Sequence, residues 1–301
     1  MIRYLKNIEI DKNKWDQCID KANNRLVYAN SWYLDIVSTG WEALIDGDYE
    51  TVMPLPAGTK YGIKYCIQPI FTPQLGLFSN TNISSEQLIC FLDYAAKVFK
   101  YLNINLNKEN KAEFPQFEIN YRINHELDLR FKYEEIKNNY SRRTNRNIKK
   151  ALDSGLSLIN DYNYEMFCDF KIKFSFPSLK KKQIHIMRNL VKYFIENQIG
   201  KILLVKDNEG NICSSAFYFN WKNRLYFSII ASNDIGKNNC AMFLILDSII
   251  RIHSGSGLIL DFTGSSLKGV AYFNEGFGAI PNQYINIKSN AYPFYIKMFK
   301  K

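Results

Sequence analysis

The chain has 301 residues, enough to bury a sizeable core, and at roughly 100 to 200 residues per domain it is expected to form two domains. Hydrophobic residues at 47% against charged residues at 23% exclude a disordered chain. A formal net charge of +10 is compatible with nucleic acid, anionic lipid or a phosphorylated cofactor as partner and does not choose among them.

The N-terminus carries Arg3 and Lys6 but lacks the apolar run of a signal peptide. The longest apolar stretch, 241–250, is interrupted by Asp247 and is too short to cross a bilayer. The expectation is a cytoplasmic protein without a membrane span. Cys18, Cys66, Cys90, Cys168, Cys213 and Cys240 show no CxxC and no short Cys/His spacing, so no metal site is expected. His125, His185 and His253 are far apart, and only the fold could assemble a triad from them.

In chain order, Trp15, Cys18, Ile19 and Ala22 fall at helical spacing, and Ser31 is placed to cap a second short helix through Val37. Two strands, 41–45 and 49–55, flank the turn Asp46-Gly47-Asp48 as a hairpin, and Pro54 and Pro56 end the second. Residues 65–78 are apolar but punctuated by Pro69, Pro73 and Gly76, which predicts broken strands and a loop. Ser84 with Gln87 opens a helix ending near Tyr101, and strands are expected at 104–106 and 117–129. From 133 to 154 the pattern is one long basic helix, stopped by Gly155. Helices near 164–174 and 180–197 precede a three-stranded meander at 202–205, 212–219 and 225–231. A polar loop, a helix at 241–252, a buried strand at 258–262, a short helix at 270–275 and a strand at 284–287 complete the chain.

This succession, with the segment Val270-Ala271-Tyr272-Phe273-Asn274-Glu275-Gly276-Phe277-Gly278-Ala279, resembles the GNAT acyltransferase domain. Leu260-Asp261-Phe262-Thr263-Gly264-Ser265 looks like the strand end and turn of Fem-type peptidyltransferases and related double-GNAT proteins. Tyr140-Ser141-Arg142-Arg143-Thr144-Asn145-Arg146-Asn147-Ile148-Lys149-Lys150-Ala151 is similar to the R-x-I-K-K-A helix that opens their second lobe. The matching motifs cover about 130–290, and over the first lobe only the element order is shared. The resemblance implies an α/β (α+β) fold of two GNAT-like lobes, each a mixed, mostly antiparallel sheet flanked by helices. Residues 1–130 would form the first lobe and 131–301 the second.

The same resemblance implies a donor site where the meander meets the polar loop, at Ile230, Ala231, Ile235, Gly236, Lys237, Asn238 and Asn239. The helix N-terminus would there face the donor's pyrophosphate. Only Gly236 matches the glycines of the family pattern, with Asn233 and Asn238 in the other two places. The alternative is a plain β-to-α turn with Asn as helix cap. The tyrosine often used as general acid falls at Asn274, which cannot supply a proton, and Tyr272 points about 200° away around a helix. Asp261 is the candidate base or amine-orienting group, or else an acid hydrogen-bonded to the Gly264-Ser265 turn. Arg142, Arg146 and Lys149 share one helix face, with Arg143 and Lys150 beside it, either as a contact for tRNA phosphates or an anionic substrate or as a solvated surface.

The leading expectation is an N-acyltransferase moving an acyl group from an acyl-CoA-like donor to a small-molecule or peptide amine. One alternative is a Fem-type, bacterial-type peptidyltransferase that uses aminoacyl-tRNA and acts on a cell-wall precursor. Another is a non-catalytic binding protein on the same fold.

Overall fold

The computed structural model describes residues 1–161, 163–175, 177–264 and 267–292. Ser265, the last residue of the 260–265 motif, lies outside the described residues. The chain forms two compact units, Met1–Arg122 with Gln283–Lys301, and Ile123–Asn282. Residues 283–292, which the sequence grouped with the second lobe, thus belong to the first unit.

In the first unit the elements run β1 (Arg3–Leu5), α1 (Lys12–Lys21), α2 (Ser31–Val37), β2 (Glu42–Asp46), β3 (Thr51–Leu55), β4 (Ala57–Lys60), β5 (Ile63–Ile67), β6 (Phe78–Ser79), α3 (Ser85–Val98) and β7 (Tyr101–Asn105). Strands β1, β2, β3 and β6 pair antiparallel in that order. A second set pairs β4 with β5 antiparallel and β5 with β7 parallel. Asp11 caps α1 and the Ser84 hydroxyl caps α3, accepting from the Gln87 N–H at 3.2 Å. Ser31 is not a cap but the first residue of α2, and its N–H and hydroxyl both donate to Asp16. Leu88, Phe91, Leu92 and Ala95 of α3 form the core with Leu44, Met53 and Leu102.

The chain enters the second unit within β8 (Glu118–Asp128), continues with α4 (Tyr133–Asn138), α5 (Arg142–Asp153), β9 (Ser157–Asp161), α6 (Tyr164–Lys173), α7 (Lys181–Glu196), β10 (Gly200–Lys206), β11 (Ile212–Trp221), β12 (Arg224–Ser232), α8 (Asp234–Asn238), α9 (Ala241–His253), β13 (Ile259–Asp261) and α10 (Lys268–Glu275), and leaves it within β14 (Ile280–Asn290). β14 carries the chain back to the first unit, where residues 286–290 pair antiparallel with β7. Within the second unit, β9, β10, β11 and β12 are antiparallel neighbours, β12 and β13 are parallel, and β13 and β8 are antiparallel. Both units therefore carry mixed, mostly antiparallel strands with flanking helices.

Two differences from the sequence pattern bear on the site. The basic helix begins at Arg142 rather than near 133, because the chain is extended at Ser141 and the Ser141 hydroxyl accepts from the Thr144 N–H at 3.1 Å, starting a new helix. The polar loop folds into the five-residue α8 before the long α9 starts, with Cys240 between them in the left-handed region at φ 59°. α9 buries Ala241, Ile245, Leu246, Ile249 and Ile250, and each of the four Ile and Leu side chains contributes roughly 1.5–3 kcal/mol of burial. Its one buried acid, Asp247, accepts from the Tyr133 hydroxyl at 2.8 Å.

Candidate functional site

The site grows out of the way β12 leaves β13. Their parallel pairing spans only Arg224 to Tyr226 against Ile259 to Asp261. Beyond it the β11–β12 register slips, with Phe217 opposite Ile229 and Tyr218 opposite Phe227, so Ser228 is an extra residue on β12. A bulge bends its strand and raises the local twist. β12 therefore runs on to Ser232 while β13 stops, and a groove opens between the end of β12, the start of α9 and helix α10.

This groove measures about 290 Å³. Ile230 and Ser232 of β12, Gly236 and Lys237 of α8, Cys240 and Phe243 line it, together with Val270 and Phe273 of α10. Three of the donor residues expected from sequence, Ile230, Gly236 and Lys237, come together here. Ala231, Ile235, Asn238 and Asn239 are not part of the lining. Ala231 is buried in the sheet with its carbonyl bonded to the Ser214 hydroxyl. Asn239 accepts from the Ser154 hydroxyl at 3.4 Å, and Ile235 is exposed. Gly236 packs against the Cys213 carbonyl of β11, and the Asn233 side chain caps α8 by accepting from the Gly236 N–H at 2.9 Å. Behind the groove wall, Lys171 of α6 donates to the Ile230 carbonyl at 2.9 Å, and burial pulls its pKa below the ordinary lysine value. Cys240, Phe243 and Lys171 did not stand out in the sequence, and Val270 and Phe273 were read there only as part of the 270–279 motif, since only tertiary folding brings these residues to one place.

Asp261 sits at the end of β13 with both carboxylate oxygens engaged. One accepts from Asn124 at 2.9 Å and from the Thr263 N–H at 2.8 Å, and the other from Arg224 at 3.1 Å. Arg224 also reaches Glu126 at 2.8 Å, and the Gly264 N–H donates to Asn124 at 2.7 Å. Burial pushes the Asp261 carboxyl above its ordinary range, against the opposing pull of Arg224, Asn124 and the Thr263 N–H. Burial lowers the Arg224 pKa, but Asp261 and Glu126 outweigh it and the net shift is upward. Asp261 thus fastens the strand end to its turn through the Thr263 N–H. Its geometry among the described residues is that of a buried anchor, held by Asn124, Arg224 and the Thr263 N–H.

Asn274 is buried on α10, and its amide nitrogen has no hydrogen-bond partner among the described residues. The histidines do not converge: His125 meets Glu275, His185 meets Asn189, and His253 lies edge-on to Tyr218. Among the described residues no group of three or more His, Cys, Asp or Glu side chains is arranged to hold a metal ion. No described helix is long and apolar enough to cross a membrane.

Helix α5 buries Thr144, Ile148 and Ala151 and leaves Arg142, Arg143, Arg146, Lys149 and Lys150 exposed, none of them in an ion pair among the described residues. Arg143 lies over the Tyr272 ring of α10, 5.1 Å from its centre. The Ser141 N–H donates to the Gly276 carbonyl at 2.9 Å, so the basic helix and the 270–279 motif meet directly. A smaller hollow of about 210 Å³ lies at this junction, lined by Ser141, Arg143, Thr144, Tyr272 and the same Phe243, Gly269 and Phe273.

Nearly the whole chain matches solved structures. FemX shares 14% identity, with 93% of this chain and 96% of that chain covered and a TM-score of 0.63. A tandem GNAT protein from the clavulanic acid biosynthesis pathway shares 9%, covers 97% and 99%, and gives 0.53. The fold is the double-GNAT, Fem-like fold. L-PGS from Bacillus licheniformis is also similar, at 8% identity, 96% and 94% coverage and a TM-score of 0.55. No protein-family profile matches the chain, and no curated protein does. In this fold the parting of β12 from β13 and the groove beside it belong to the second unit, where the motif residues lie.

Proposed function

We propose that the second unit is an N-acyltransferase module that holds a carrier-bound acyl group in the groove beside Ile230 and transfers it to an amine. The observation that carries this is the splay of β12 from β13 at the Ser228 bulge, with a largely apolar groove opening at it and Lys237 at its rim. An acyl-CoA suits such a groove, its pantetheine arm lying along the apolar walls. In the transfer, the neutral amine attacks the acyl carbonyl, a C–N bond forms, the bond from carbonyl carbon to carrier breaks, and the amine's proton passes to solvent. Asn274 offers no acidic proton, and Asp261 is committed to Arg224, Asn124 and Thr263. The rate enhancement then rests on positioning and on backbone N–H groups near the bulge that face the developing oxyanion.

Gly269 supplies a clean test. A Cβ at this position meets nothing within 4 Å, and the residue lines both hollows. Gly269→Trp is expected to fill the groove while leaving the thermal midpoint close to that of the unaltered protein. Calorimetric titration with acetyl-CoA should show binding that the variant loses. No heat of binding up to millimolar acetyl-CoA would exclude the CoA donor.

A second reading, an aminoacyl-tRNA donor, is favoured by Arg142, Arg143, Arg146, Lys149 and Lys150 of α5, which are exposed and in no ion pair among the described residues. It predicts a tRNA affinity that falls steeply with salt and collapses in Arg142→Glu/Arg146→Glu. Donor binding without transfer to any amine tested would instead leave a binding protein on this fold.

A further inference from the structure

The groove does not end at Phe243 and Phe273. Those two rings and Gly269 line the donor groove on one side and the hollow at the foot of α5 on the other. The second hollow differs in chemistry. Its outer wall is the Tyr272 ring, which carries the Arg143 guanidinium at 5.1 Å yet leaves 56% of the residue exposed. An aromatic ring with a cation beside it and open surface remaining is a stacking platform for a second flat π system. On the same helix as Arg143, the residues Arg142, Arg146, Lys149 and Lys150 are exposed and without ion-pair partners among the described residues.

We propose that this hollow takes the nucleobase of a nucleotide-bearing acyl donor, stacked on Tyr272, with the adjoining phosphates held by Arg143 and the cations of α5. This rests on the groove beside Ile230 being the donor site and adds where the far end of the donor goes. The polar groups of the hollow set its selectivity. The Ser141 and Thr144 hydroxyls bond to each other at 2.9 Å, and the Ser141 hydroxyl also accepts from the Thr144 N–H. They are spent on starting α5 and present no fixed pattern to a base edge. Recognition is therefore by stacking and charge, tolerant of base identity and favouring the larger purine face. Two donors share this chemistry: CoA, with its adenine nucleotide, and the single-stranded 3′ end of an acylated RNA.

The test titrates the full chain and its Tyr272→Ala, Tyr272→Phe and Arg143→Met variants with CoA, with pantetheine, and with an RNA minihelix bearing either an intact or an abasic 3′-terminal nucleotide. Tyr272 and Arg143 are exposed, so the variants should fold, and circular dichroism checks this. Tyr272→Ala is expected to weaken the nucleotide-bearing probe by about five- to a hundredfold, while Tyr272→Phe retains it. Pantetheine should bind both proteins alike. A CoA response restricted to CoA identifies that donor, and a loss on removing the RNA's terminal base identifies the other. The platform is overturned if Tyr272→Ala leaves every nucleotide-bearing probe unchanged, or weakens pantetheine as much as CoA. If neither pantetheine, CoA nor RNA binds the unaltered protein, the donor groove itself falls with it.

Discussion

A Cβ built on Gly236 would stand 2.1 Å from the carbonyl oxygen of Cys213, so α8 and β11 touch backbone to backbone at this point. The glycine that matches a phosphate-binding pattern in the sequence is thus required for packing, whatever binds nearby. Gly236→Ala must push α8 off the sheet and is expected to lower stability by roughly 1–3 kcal/mol, seen as a shifted denaturation midpoint with no ligand present. Unchanged stability with weakened donor binding would show that the glycine serves the ligand instead.

The Glu126–Arg224–Asp261 cluster should behave as a buried ion network. Asp261→Ala leaves Arg224 without one of its two acids and Asn124 without its acceptor, a loss of about 3–5 kcal/mol. Arg224→Met combined with Asp261→Leu should lose less than the sum of the two single changes, because neither leaves the other's charge stranded. Chemical denaturation of the three variants measures this, and strict additivity would dissolve the network.

His253 gives stability a pH dependence. Burial, with Lys201 nearby, holds its imidazole below the ordinary 6.5. As pH falls, the unfolded chain takes up the proton first, so a contribution fully present above about pH 6.5 is lost as pH drops toward the folded value. The unfolding free energies of the unaltered protein and His253→Gln should run parallel above pH 7 and diverge below it, the unaltered protein losing more. Parallel curves from pH 8 to 5 would contradict the assignment.

Thiol chemistry can report on the groove. Cys240 is partly exposed in its lining, and Cys90 is exposed elsewhere. Burial pushes the thiols of Cys18 and Cys213 up to about 11 and that of Cys168 up to about 12, which suppresses their reactive thiolate. In a Cys90→Ser background, maleimide should label Cys240 first, and a donor in the groove should slow that labelling. Mass spectrometry of labelling at saturating donor settles it, and an unchanged rate would place the donor elsewhere.

Asn274 buries an amide nitrogen without a partner among the described residues. Asn274→Leu, of similar shape, should be neutral or stabilising by up to about 1 kcal/mol, since the desolvated amide disappears with nothing left unpaired. A thermal midpoint lowered by several degrees would mean that the amide is bonded in solution.

What was legible in the sequence was local. The 42–55 hairpin, the Ser84 cap, the meander and the apolar stripe of α9 each depend on residues a few positions apart. The break between α4 and α5 was hidden because the residues on either side are good helix formers, and the Ser141 N–H finds the distant Gly276 carbonyl instead of an intrahelical one. β9 was missed because its short sequence, Ser157 to Asp161, is only partly buried and takes its pairing from β10 alone. Of the site, motif spacing pointed to Ile230, Gly236 and Lys237. It could not reveal that Asp261 is claimed by Arg224 and Asn124, residues far away in the chain. Nor could it show that the last strand pairs with β7 of the first unit.

Gly276 has a history to tell as well as a place in the packing. A methyl group there would lie 2.5 Å from the Thr144 hydroxyl, the same hydroxyl that helps to start the basic helix. Among descendants of this sequence, position 276 can gain a side chain only where 144 gives up its hydroxyl or the helix shifts. The two stretches that resemble the double-GNAT motifs are thus coupled at this contact, and a side chain at 276 should be tolerated better where Thr144 is replaced by alanine.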